Sequence, residues 1–113
     1  MNNKIYMIGS MGSGKSSIGR LLAKKLHLPH YDLDKTIEHN EGMSVTDIFK
    51  KYNEDYFRDK ESVTLEKYSR FKEFVISTGG GAILRDKNQK IFTNGCVIYL
   101  KISLDAQYER IKN

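Results

Sequence analysis

The sequence has one cysteine, one proline and no long apolar run, and each scarcity excludes a class of protein. A single thiol, Cys96, forms no internal disulfide, so the expected compartment is a reducing cytoplasm. Lying in an apolar stretch, Cys96 is expected to be a small buried hydrophobe. The apolar runs are only a few residues long, which excludes a membrane-spanning helix, and the first residues lack the apolar core of a signal peptide. No repeat, low-complexity tract or Pro/Gly/Ser linker divides the chain, so its 113 residues read as one domain. His27, His30 and His39 lack metal-ligand spacing and read as loop and surface residues. A long basic block is also missing. The net charge of +5 comes from 19 Lys and Arg against 14 Asp and Glu, and pairs such as Lys24-Lys25 and Lys50-Lys51 sit among acids. That scatter fits solvated helix faces, and no nucleic-acid partner is expected.

What is present alternates in type. Residues 4–8 read as a buried strand. Residues 16–26 carry Ile18, Leu21, Leu22 and Leu26 on one helical face. Residues 27–30, with Pro29, read as a connector, and 31–33 as a short strand end. Residues 44–51 form a helix opened by Ser44, with Asp47 three residues on. Residues 54–71 form a longer helix with Phe57, Glu61, Leu65 and Tyr68 at helical spacing. A strand over 74–77, a glycine turn over 78–81, a short helix over 87–92, a strand over 96–100 and a helix over 104–112 complete the pattern. Strands separated by helices imply an α/β fold with a parallel sheet, here of four strands.

Gly9, Gly14, Lys15 and Ser16 fit the G-x-x-x-x-G-K-S/T pattern, between a strand and an amphipathic helix. Glycines there let backbone N–H groups surround phosphate oxygens, the helix start adds partial positive charge, Lys15 reaches the β- and γ-phosphates, and the Ser16 hydroxyl suits Mg²⁺. The pattern points to a nucleoside triphosphate without fixing ATP against GTP. Asp32 and Asp34, two apart, share a side if the segment is extended. They then serve a metal and an acceptor hydroxyl; alternatively, Asp34 caps a helix from Lys35. Arg58 and Glu61 are three apart on one helix. Such a pair is either a surface ion pair or a braced guanidinium that clamps a carboxylate or diol. Phe57 reads as core or pocket wall. The triple glycine at 79–81 follows a strand and implies either a ligand against the backbone or a sterically tight turn. Arg110 is either solvated or stacks on a base.

In this order the pieces resemble the shikimate kinases, small P-loop kinases of the nucleoside monophosphate kinase-like group. The resemblance rests on the phosphate loop at 9–16, on Asp32, Leu33 and Asp34 with Glu38 and Gly42, and on the run 44–49. It continues through Glu54, Phe57, Arg58 and Glu61, the Thr78-to-Ala82 segment and residues 97–103. It implies a three-layer α/β/α P-loop fold and transfer of the ATP γ-phosphate to the 3-hydroxyl of shikimate by a cytoplasmic monomer.

By position, the resemblance implies catalytic roles for Lys15 and Asp34. It places ATP against Gly12, Ser13, Gly14, Lys15, Ser16, Ser17 and Arg110, and Mg²⁺ on Ser16 and, through water, Asp32. Shikimate falls to Asp34, Arg58, Gly79, Gly80 and Gly81, with Phe57 and Glu61 in support. Asn53 and Ser17 stand where the family more often has glycine and threonine. The family pattern continues through a lid with an arginine, a fifth strand and a final helix, whereas this sequence ends near the lid's start. The expectation is one P-loop kinase domain over 1–113 that is C-terminally incomplete. A gluconate kinase-like enzyme and a non-catalytic nucleotide-binding module are the alternatives.

Overall fold

A computed structural model describes residues 3–9 and 15–100, and the side chains among them except those of Lys15 and Ser16. The expected helix over 104–112 lies outside the described residues. The element order is β1 (Lys4–Gly9), α1 (Lys15–Leu26), β2 (His30–Asp32), α2 (Leu33–Glu41), α3 (Val45–Lys51), α4 (Glu54–Ser69), β3 (Phe74–Gly79), a 3-10 turn (Gly80–Leu84), α5 (Asp86–Phe92) and β4 (Cys96–Leu100). The described strands form one parallel sheet in the order β2-β3-β1-β4. The expected α/β architecture with four parallel strands is therefore found.

Alternation along the strands divides the core between two faces. Tyr6, Ile8, Phe74 and Ile76 join Leu33, Ile37, Ile48, Phe57, Leu65 and Phe92 on one face. Met7 and Val75 join Ala23 on the other, with Ile18 and Leu22 packed against them. Helix α1 thus covers one side and α2 to α5 the other. Tyr6 is fully buried, edge-on to Phe74 and Phe92, and donates its hydroxyl to Asn94 at 2.7 Å.

Three expectations need correction. Residues 33–41 form helix α2, and Asp34 lies inside it rather than on an extended segment. Its start and stop have clear causes: Asp32 accepts the Lys35 N–H at 3.1 Å as N-cap, and Gly42 takes the left-handed conformation after the last turn (φ 71°). The capping residue is therefore Asp32, not Asp34. Second, Cys96 is exposed. Strand β4 is outermost among the described strands and pairs only with β1, so its apolar sequence does not mean burial on both faces. Third, His30 is no mere surface group: it ends the connector on β2, half-buried, with Nε2 2.8 Å from Ser77 Oγ. Burial is the main cause that lowers its pKa below the usual histidine value.

That His30–Ser77 contact forms the floor on which α1 rests. A side chain at Gly19 of α1 would run into Ser77 Oγ and would meet His30 Nε2 at 2.9 Å. Close helix–sheet approach here sets where α1 begins relative to the strand ends. Replacing Gly19→Ala should destabilise the fold by about 1–2 kcal/mol, because overpacking outweighs alanine's better helix propensity. Urea unfolding measures this, and an unchanged midpoint would contradict so tight an approach.

Candidate active site

Parallel strands bring their C-terminal ends to one edge, where ligands of open α/β sheets bind. Here Gly9 of β1 lies level with Gly79 of β3, and Asp32 ends β2 beside Ser77. The start of α1, at Lys15 and Ser16, follows Gly9 after a five-residue connection. Gly12, Ser13, Gly14 and Arg110 lie outside the described residues. Ser17 is exposed in the first turn of α1.

Two clefts open at this edge. One, about 200 Å³, is lined by Gly9, Asp34, Phe57, Arg58, Glu61 and the glycines 79–81. A second, about 440 Å³, includes Asp32, Asp34, Glu38 and Thr46. Asp34, Val45 and Phe49 line both. The mouth is framed by α2 and α3, whose junction is fixed twice. Ser44 caps α3 by accepting the Asp47 N–H at 3.1 Å, and Glu38 Oε2 accepts the Val45 N–H at 2.8 Å. The expected capping at Ser44 is present, with the Glu38 carboxylate supplying a second acceptor from outside the helix.

The strongest interaction in the cleft is between Arg58 and Glu61. Arg58 Nη1 donates to both Glu61 oxygens, at 3.0 and 3.1 Å, and Nη2 lies 3.4 Å from Glu54 Oε1. Glu61 is 0% exposed and Arg58 about one-fifth exposed, so this is the braced guanidinium and not a surface pair. Desolvation lowers the Arg58 pKa, but hydrogen bonding to Glu61 and the charges of Glu61 and Glu54 outweigh it, so the guanidinium stays protonated. For Glu61 burial dominates, and the Asp34 charge adds to it. Its pKa lies above the usual carboxylate value despite Arg58. The Arg58 guanidinium also packs over the Phe57 ring, 5.3 Å from its centroid, and Phe57 is both core and pocket wall.

The glycine run now has a local account. None of its residues has positive φ. A Cβ on Gly81 would overlap the Arg58 guanidinium, so a side chain there would push that group aside. Among the described residues, a Cβ on Gly80 would meet nothing within 4 Å, and one on Gly79 would meet only Asp34 Oδ2, at 3.9 Å. The described residues leave the space over Gly79 and Gly80 open. Sequence reasoning missed Arg85, which donates from Nη1 to Asp59 Oδ1 at 2.8 Å just behind this wall. A partner 26 positions away leaves no local signal.

The family model for shikimate kinase matches residues 11–113. The chain belongs to the shikimate kinase family. A shikimate kinase of Persephonella marina is 45% identical over 109 residues, 96% of this chain and 66% of its own length. A solved shikimate kinase from Acinetobacter baumannii, in complex with shikimate, superposes with a TM-score of 0.90 at 37% identity, over 97% of this chain and 62% of its own. The chain thus spans a little less than two thirds of the length of these two relatives. A gluconokinase from Sinorhizobium meliloti, 23% identical with a TM-score of 0.64 over 97% of this chain and 63% of its own, shares the fold alone.

The raised Glu61 pKa has a consequence with a definite sign. Between its ordinary value near 4.5 and its folded value, the folded state holds more protons than the unfolded one. The contribution of Glu61 to stability is therefore present at low pH and lost as pH rises through that window. Glu61→Gln should gain stability relative to the parent between pH 4 and pH 7, measured by urea unfolding. A relative loss over the same rise would show that Arg58 outweighs burial.

Proposed function

We propose that this chain carries the acceptor site and the phosphate loop of an enzyme that phosphorylates the 3-hydroxyl of shikimate with ATP. The observation that carries the reading is the cleft in which a charged Arg58, braced by buried Glu61, stands with Asp34 beside the open backbone of Gly79 and Gly80. A carboxylate and hydroxyls on one small ring suit that set: the guanidinium takes the carboxylate, and Asp34 accepts from a hydroxyl. The gluconokinase likeness is one of fold alone and says nothing about the acceptor.

In this reading Arg58 fixes the acceptor by its carboxylate, and Asp34 orients the attacking hydroxyl and takes its proton. The 3-oxygen forms the new bond to phosphorus as the bond from the γ-phosphorus to the bridging oxygen breaks, and ADP leaves with the electron pair. Lys15 neutralises charge on the transferring group, a role suited to a loose transition state. Gly12, Ser13, Gly14 and Ser17 hold ATP phosphates and Arg110 the base. Ser16 and Asp32 bring a hydroxyl and a carboxylate, hard oxygen donors that fit Mg²⁺ when phosphates and water complete its shell. Asp32 already spends Oδ1 on the α2 cap, which suits contact through water. When bound, Mg²⁺ would supply neutralisation of the charge on the reacting phosphates.

Calorimetric titration tests the acceptor. Shikimate should bind with saturable heat and gluconate should not; gluconate binding without shikimate binding would overturn the assignment. Gly80→Ala separates a ligand surface from a tight turn. Its unfolding midpoint should match the parent, while shikimate affinity falls roughly tenfold, the scale of one intruding methyl in a filled site. Unchanged affinity would remove Gly80 from the pocket.

A further inference from the structure

The wall opposite Asp34 belongs to two segments far apart in sequence, α4 with Arg58 and the turn with Gly81. They come together in the cleft where the guanidinium lies against Gly81, close enough that an added Cβ would overlap it. Something must hold that spacing, because the turn lies at the surface, with Gly80 and Leu84 exposed. Three side-chain bonds are placed to do so. Buried Asn88 donates to the Ala82 carbonyl at 2.9 Å, and Gln89 donates to the Ile83 carbonyl at 2.7 Å. These tie the turn to α5. Arg85, the residue before α5, then donates to Asp59 at 2.8 Å, and Asp59 is the neighbour of Arg58 on α4.

The bonds close a ring from Arg58 through Asp59, Arg85 and the turn to Gly81 and back to Arg58. We infer that Arg85 is a positioning residue for the acceptor: through Asp59 it fixes the distance between the Gly81 backbone and the Arg58 guanidinium. The inference rests on the proposed shikimate site. Arg85 is one-quarter exposed and Asp59 two-thirds exposed. A pair so placed contributes little to global stability, and its effect is on local geometry. Its field supports the same end: Arg85 draws the Glu61 carboxyl toward its ionised form, the form that braces Arg58.

The experiment compares shikimate affinity and melting temperature in four proteins: the parent, Arg85→Ala, Asp59→Ala and the double variant. A charge-reversed pair, Arg85→Asp with Asp59→Arg, is the rescue. Each single variant should bind shikimate roughly threefold to tenfold more weakly, the scale of coupling between touching residues. The double variant should be no weaker than either single one, and the reversed pair should recover most of the loss, all with melting within a few degrees of the parent. ATP affinity should not move. Losses that multiply in the double variant, a fall in ATP affinity alongside, or unchanged shikimate affinity in Arg85→Ala would overturn the positioning role alone. Absence of shikimate binding by the parent would overturn the functional reading and the positioning role with it.

Discussion

The Arg58–Glu61 pair is the constraint around which the cleft is organised. A carboxylate with no exposure is costly to ionise, and its partner is held on one side by the Glu61 oxygens. That arrangement keeps the guanidinium from following solvent and leaves it facing the glycine wall. It also accounts for Gly81, where an added Cβ would push the guanidinium aside. Phe57 below and Glu54 beside Arg58 complete the bracing, so one helix, α4, supplies nearly all of the cationic side of the cleft.

The sheet supplies the other half of the geometry. With β3 between β2 and β1, the ends of three parallel strands meet at one edge. The phosphate loop follows β1, the aspartates follow or end β2, and the glycine run ends β3. Tight seating of α1 through Gly19 on Ser77 and His30 fixes the helix that carries Lys15 and Ser16 on the opposite face. In the proposed reading, acceptor and nucleotide residues come from different layers that share one edge of strand ends, the placement expected of a group-transfer site.

Much of this was legible in the sequence where the signal was local. Strands β1, β3 and β4, helices α1 and α4 and the Ser44 cap follow from runs, periodicity and capping chemistry, with ends displaced by a residue or two. Helix α2 was not read, because Leu33 and Ile37 are its only buried residues and two nearby aspartates suggested an extended segment; the signs were Asp32 and Gly42 at its two ends. Cys96 shows the limit of an apolar run, since sheet order decides burial and is set by other strands. The spacing of Arg58 and Glu61 gave the pair but not its burial, which depends on how α4 is turned against the sheet. Arg85 and Asp59 gave no sign at all, because their meeting is purely tertiary.

The central claim is that Arg58 meets the carboxylate of the acceptor. Titration of the parent chain with shikimate and with its methyl ester addresses it directly, since the ester keeps the ring and hydroxyls and removes the charge. The account predicts that the ester binds weaker by about 1.5–3 kcal/mol, the range of a charge-assisted hydrogen bond. In Arg58→Ala the two ligands should bind alike. Equal affinity of acid and ester for the parent would contradict the account.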